Sequence, residues 1–267
     1  MMNVYKKQTM IVYKNGERVS SESALILEEP LSIRIEGQPY AVVMRTPGDE
    51  IAHVAGFCLS EGLIDTPKHL GTIGFCSEAG TNVATVTLTL EQKKKVADLL
   101  DRKGFVSQTS CGICGKELVK DLHQITTPVK TTLHLAVEEA LQCAARLPDC
   151  QPVHQQTRSA HAAMIFDKHS ELLASAEDVG RHNALDKAIG KILMDGRINT
   201  AAFGVMSSRL SYELVQKAAR AGLELMIGVS RPTSLAVDLA RSVNMTLACA
   251  KGSELMVFCG EERLTLR

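Results

Sequence analysis

The stretch Ala162 to Met206, AAMIFDKHSELLASAEDVGRHNALDKAIGKILMDGRINTAAFGVM, decides the fold. It opens with two apolar runs, Ala162 to Phe166 and Glu171 to Ser175, separated by the turn-forming Asp167-Lys168-His169-Ser170, and these read as a strand pair. The second run ends in Glu177 and Asp178, and Gly180 permits a tight turn. Behind it, Leu185, Ala188, Ile189, Ile192 and Leu193 recur at helical spacing, and Ala201 to Met206 forms a third strand. The alternation continues with strands at Leu223 to Val229 and Met245 to Cys249, between helices at Tyr212 to Ala221 and Thr233 to Val243. Strands alternating with helices argue for an α/β layer sandwich.

Upstream the pattern differs. Ile11 to Tyr13, Ala24 to Leu27, Leu31 to Ile35 and Ala41 to Met44 read as a strand meander, and Pro47-Gly48-Asp49 opens a helix that stops near Gly62. Strands follow near Ile73 and at Val83 to Leu90, then a helix from Glu91 to Leu100. Between Lys103 and Pro128, glycines at 104, 112 and 115 break any periodicity and predict a loop. A helix is expected from Leu133 to Leu147, on the spacing of Leu133, Val137, Ala140 and Leu141. The fold class is therefore α/β, α+β overall, with a strand-rich region over 1–128 and an α/β domain over 129–267.

Composition narrows the function. With 30 basic and 30 acidic residues, no bulk field draws the chain to nucleic acid or an acidic membrane surface. No run approaches 18 uninterrupted apolar residues, and the N-terminus lacks a signal-peptide pattern, so a soluble cytoplasmic protein is expected. Most of the eight cysteines sit singly in apolar runs, as Cys58 and Cys249 do, and read as reduced core residues.

The exception is Ser110-Cys111-Gly112-Ile113-Cys114-Gly115-Lys116. Two thiols separated by two residues commonly include one of lowered pKa, and Lys116 nearby in sequence could favour a thiolate. Four readings remain open on the pattern alone. Zinc needs further ligands, with His123 near and Cys143, Cys150 and His154 distant; a thioredoxin-like dithiol needs a strand before it; the pair could be inert; or it carries sulfur.

Two helix starts are candidate anion sites: Gly180-Arg181-His182-Asn183 and Arg231-Pro232-Thr233. Free N–H groups joined by an arginine suit phosphate, and the carboxyl end of a strand is where open α/β sheets bind ligands. Capped helices with surface ion pairs explain the same residues. His161 stands before an apolar run, and Ala163 occupies the place where a zinc deaminase carries its glutamate, which argues against deamination. Lys251-Gly252-Ser253 reads as a hairpin turn.

Three segments, SCGICG at 110–115, EDVGRHNALDK at 177–187 and SRPTSLA at 230–236, together resemble the FdhD/NarQ family of formate dehydrogenase accessory sulfurtransferases. The resemblance implies a cytidine deaminase-like fold for the C-terminal domain and a homodimer. It implies a sulfurtransferase that takes sulfur from an IscS-type cysteine desulfurase and delivers it to the bis(molybdopterin guanine dinucleotide) molybdenum cofactor for formate dehydrogenase. By the same match Cys111 is the persulfide carrier, with Cys114 beside it in an undetermined role. Gly180, Arg181, His182, Asn183, Arg231 and Thr233 become cofactor contacts, as do Cys249, Ala250, Lys251, Gly252, Ser253 and Glu254. A guanine nucleotide would mimic part of that cofactor, and Asp178 or Asp186 would meet a guanine edge. The family often has Gly-Gly before the histidine, where this chain has Ser159-Ala160. The rival reading is a zinc-stabilised binding module or cofactor chaperone without persulfide chemistry.

Overall fold

The computed structural model describes residues 4–77, 82–97, 100 and 126–266. The chain begins with a long hairpin, β1 (Tyr5–Lys14) and β2 (Glu17–Ile26), turning on Asn15-Gly16. Both turn residues have positive φ, 53° and 81°, as a two-residue hairpin turn of matching twist requires. A second hairpin, β3 (Glu29–Ile35) and β4 (Gln38–Arg45), joins β5 (Leu70–Cys76) and β6 (Val83–Leu88) in a sheet of order β4-β3-β6-β5. The expected meander is thus corrected: the first two strands form their own ribbon, and β3 pairs with β6 in parallel. Between these strands α1 (Glu50–Ser60) presents Val54, Phe57, Cys58 and Leu59 to the core. A short α2 (Leu90–Lys95) follows, capped by the Thr89 side chain.

The expected helix from Leu133 begins later. Leu135 and Ala136 form β7, pairing in parallel with β14 (Leu264–Thr265), and α3 runs only Val137–Ala145. Leu133 and Leu135 are buried in the second of two core clusters, so tertiary pairing overrides their helical spacing. Helix α4 (Pro152–Thr157), with proline in its first turn, was not anticipated.

The remainder forms a six-stranded sheet of order β13-β12-β11-β10-β8-β9. Its strands are β8 (His161–Asp167), β9 (Leu172–Asp178), β10 (Ala201–Arg209), β11 (Leu225–Ser230), β12 (Thr246–Lys251) and β13 (Glu254–Cys259). Helices α5 (Arg181–Met194), α6 (Tyr212–Arg220) and α7 (Ser234–Ser242) follow β9, β10 and β11. The central β10, β11 and β12 are parallel, which matches the α/β reading of this half.

One apolar cluster runs from Leu31, Ile33 and Phe57 through Ile189 and Leu193 to Leu214 and Leu247. It is closed by the crossing of α1 on α5. A Cβ on Gly56 would run into the carbonyl oxygen of Asp186, and one on Gly190 into that of Ala52. Glycine at both positions lets the two backbones touch.

Candidate functional site: the carboxyl edge of the six-stranded sheet

Strands β9, β10, β11 and β12 all point the same way, because β8 runs against both β9 and β10. Their carboxyl ends therefore lie along one edge, where α5, α6 and α7 begin behind Gly180, Ser211 and Thr233. Three helix N-termini on one edge concentrate unpaired N–H groups and positive dipole ends. Thr233 caps its own helix, its side chain accepting from the Ala236 N–H at 3.2 Å.

Behind the first helix start lies a buried clamp. Asp178 Oδ1 accepts from the Gly180 N–H at 2.8 Å and from Asn183 Nδ2 at 2.9 Å, while Oδ2 accepts from the Thr46 N–H at 3.0 Å. Lys187 Nζ completes it, 2.8 Å from Asp178 Oδ2 and 2.8 Å from the Thr46 carbonyl oxygen. The Asn183 amide also donates to the Met44 carbonyl at 2.7 Å, so this side chain positions the turn. Asp186 is likewise enclosed, bound by Ser60 Oγ and Lys217 Nζ, both at 2.7 Å. Burial pushes its carboxyl up, against the pull of Lys217 and Ser60. The expectation that Asp178 or Asp186 meets a guanine edge is therefore corrected. Both carboxylates are buried and spent on internal partners.

Around the clamp the edge divides into two groups. The first sits at β8, β9 and the start of α5. His182 Nε2 lies 2.8 Å from Glu213 Oε2 and 3.3 Å from Ser211 Oγ, which ties the starts of α5 and α6 together. The hydrogen bond from His182 holds the Glu213 carboxyl below its ordinary range, against burial. Arg181 has a buried Nε without a hydrogen-bond partner among the described residues. His161 stands opposite Asp178 in the β8/β9 register, its pKa lowered by burial and then by the charges of Arg181, His154 and His182. The Ser159-Ala160 step before it is ordered by Thr157, whose hydroxyl accepts from the Ser159 N–H at 3.3 Å.

The second group lies two strands along, at β11 and β12. Arg231 is exposed just past β11, and Cys249 on β12 pairs in register with Gly228. Burial pushes the Cys249 thiol up while Arg231 and Lys251 pull it down, which makes it a poor thiolate and a packing residue. Ala250 and Lys251 lead into the β12/β13 turn, where Gly252 takes φ 60° and Lys251 pairs with Glu254 across Ser253. The hairpin reading of this segment holds, and its Lys251, Gly252, Ser253 and Glu254 are exposed. Cys111, Cys114 and His123 lie outside the described residues. Among the described residues no three His, Cys, Asp or Glu side chains gather into a metal site.

Sequence reasoning missed the partners that arrive from the N-terminal sheet. Thr46 follows β4 and also accepts, through Oγ1, from the Val179 N–H at 3.0 Å. His53 on α1 is fully buried, and among the described residues neither ring nitrogen has a hydrogen-bond partner of good geometry; the nearby Asn183 amide is committed to Met44 and Asp178. A histidine within the apolar run Ile51 to Leu59 was the available signal for that burial.

Residues 26–265 match the FdhD/NarQ family. A sulfur carrier protein FdhD from Streptomyces avermitilis is 36% identical over 276 residues, covering 100% of this chain and 98% of the relative. One from Anaeromyxobacter dehalogenans is 37% identical over 274 residues, covering 96% and 92%. The fold is similar to the crystal structure of a chain described as a formate dehydrogenase accessory protein from Desulfotalea psychrophila, with TM-score 0.79, 23% identity, and 98% and 100% of the two chains covered. Family match, curated relatives and fold agree over nearly the whole length, and the chain belongs to the FdhD/NarQ family.

Proposed function

We propose that this chain carries sulfur for formate dehydrogenase maturation, as a sulfurtransferase whose persulfide forms on Cys111. The observation that carries the reading is family membership across residues 26–265, a span that includes Cys111-Gly112-Ile113-Cys114. The Cys111 thiolate attacks the outer sulfur of a desulfurase cysteine persulfide. A new S–S bond forms on Cys111, the old one breaks, and the desulfurase cysteine leaves as thiolate. The outer sulfur then passes to the acceptor. Cys114 assists by attacking Cys111 Sγ, which expels that sulfur as sulfide and leaves a disulfide for a cellular dithiol to reduce.

In this reading the donor is a cysteine desulfurase, the acceptor is the bis(molybdopterin guanine dinucleotide) molybdenum cofactor, and the setting is the reducing cytoplasm. A large anionic acceptor suits the sheet edge, where the starts of α5 and α7 stand with Arg181, Arg231 and Lys251. The functional form is a homodimer. The test is complementation of a strain lacking its own carrier: the wild-type chain restores formate dehydrogenase activity and Cys111→Ala does not. Restoration by Cys111→Ala would refute the assignment. A guanine nucleotide should also slow amide exchange at Gly180 and Arg231, and unchanged exchange at saturation would remove the edge from the acceptor site.

A further inference from the structure

The β1/β2 ribbon is a sheet of two strands only, so among the described residues the outer edge of each strand is unpaired. A two-stranded ribbon is marginally stable in water until further strands or a helix cover it. Helix α4 lies against β2, where Ser21, Ser23, Ala24 and Ile26 are partly buried. Towards the turn the cover ends: Glu17, Arg18, Val19 and Ser20 are all exposed, with Met10, Ile11 and Tyr13 exposed on β1 beside them. Residues 5–25 precede the span 26–265 that matches the family, so that match does not account for the ribbon.

The ladder fixes which backbone groups point outward. Lys14 and Glu17 close the two-residue turn as a hydrogen-bonded pair, and at the far end the Leu27 N–H donates to the Val4 carbonyl oxygen at 2.9 Å. Hydrogen-bonded and open pairs alternate along an antiparallel ladder. The odd positions of β2 are therefore bonded to β1, and Arg18, Ser20 and Glu22 turn their N–H and C=O groups to the free edge. On β1 the outward positions are Tyr5, Lys7, Thr9, Ile11 and Tyr13. A free edge of this kind is a template for strand addition.

The charges on the free edge of β2 are self-complementary. Arg18 faces Tyr13 and Glu22 faces Thr9 across the ladder, and among the described residues neither makes an ion pair. They stand four positions apart, about 13 Å along an extended strand, too far to pair with each other. A second β2 running antiparallel beside the first brings them together. With Ser20 opposite the partner's Ser20, Arg18 meets the partner's Glu22 on both sides of a twofold axis, and all three outward positions exchange backbone hydrogen bonds. Centring the axis on Arg18 or Glu22 sets like charges face to face. Centring it on Val19 or Ser21 leaves Arg18 opposite the partner's Ser20 or the partner's Ala24. On β1 the one outward charge is Lys7, so two copies of that strand offer no such match.

We infer that β2 is a docking edge for a second copy of this chain, the two ribbons joining antiparallel about Ser20 into a four-stranded sheet. The contact is isologous, as a twofold axis requires. Pairing over residues 17–23 is small beside the roughly 800 Å² per partner of a standard interface, so disrupting it weakens association without abolishing it. The inference rests on the homodimer reading above and names one surface of that dimer. It needs neither Cys111 nor the carboxyl edge of the six-stranded sheet.

The test is sedimentation equilibrium of the full chain at low ionic strength. Wild type should form a dimer. Arg18→Glu and Glu22→Arg should each weaken it by roughly tenfold, because each puts two like-charged pairs about the axis. Both positions are exposed, so neither change disturbs the core. The double variant Arg18→Glu/Glu22→Arg should recover wild-type affinity, and so should an equimolar mixture of the two single variants, since both combinations restore opposite charges. As a second readout, mild oxidation of Ser20→Cys should give a disulfide peptide joining position 20 of the two copies. The Cα atoms of a hydrogen-bonded pair stand about 5.5 Å apart, within disulfide reach. Equal dimer affinity in wild type and Arg18→Glu, no recovery in the mixture, or no such peptide would overturn the ribbon pairing and leave the homodimer standing. A wild-type chain that stays monomeric at every concentration reached would overturn both.

Discussion

Lys187 Nζ stands 2.8 Å from Asp178 Oδ2, and both side chains are buried. The pair joins the end of β9 to α5 and, through Thr46, to the end of β4. It thereby fixes the turn that presents Gly180, Arg181 and His182 along the sheet edge. Removing one partner leaves an uncompensated buried charge, which costs about 3 to 5 kcal/mol. Lys187→Met should lose that much in urea unfolding, and Asp178→Asn with Lys187→Met together should lose less than the sum of the single changes. Additive losses would mean the two residues do not act as a pair.

The crossing of α1 on α5 makes a second prediction. Alanine at Gly56 or Gly190 forces backbone against backbone, which no rotamer change can relieve. Each substitution should destabilise by about 3 kcal/mol or more, at the upper end of overpacking costs. Alanine at Gly74, where an added Cβ meets nothing within 4 Å, is the control. Equal stability of Gly56→Ala and Gly74→Ala would show that the helices are not in contact.

His53 makes stability depend on pH. Burial, then the charges of Lys187, Lys217 and Arg45, hold its pKa well below the ordinary imidazole value of 6.5. The folded chain keeps His53 neutral while the unfolded chain takes up a proton below about pH 6.5. The contribution is therefore fully present above that pH and declines as the pH falls. Its slope approaches about 1.4 kcal/mol per pH unit, one proton's worth. Among the described residues neither ring nitrogen has a hydrogen-bond partner, so His53→Leu should flatten the decline between pH 6.5 and 5 at little cost in polar contacts. An unchanged slope would assign the acid sensitivity elsewhere.

Much of the C-terminal half was legible in the sequence because its signals are local. Leu185, Ala188, Ile189, Ile192 and Leu193 mark the buried face of α5 directly, and Lys251-Gly252-Ser253 marks the β12/β13 turn. What stayed hidden depends on distant pairing. Leu133 to Ala136 carry helical spacing, yet β14, more than a hundred positions on, draws Leu135 and Ala136 into a strand. Acidic residues at a helix start look alike in sequence whether they face a ligand or a lysine. The expectation that Asp178 or Asp186 meets a guanine edge fails because Thr46, Ser60 and Lys217, which occupy them, come from other elements.

The candidate site was legible in its helix starts and not in its depth. Arg181, His182 and Arg231 do come to one edge, in two groups separated by strands, while Asn183 turned out to hold the turn in place. A cavity beside His161 had no sequence signature. Its wall comes from α4, a six-residue helix too short for periodicity to reveal.

The most direct test of the account is intact-mass and peptide mass spectrometry after incubation with a cysteine desulfurase and free cysteine. The account predicts one added sulfur, removed by reductant, mapped to Cys111 and absent from Cys111→Ala. Sulfur that persists in Cys111→Ala, or that maps to another cysteine in the wild-type chain, would contradict it.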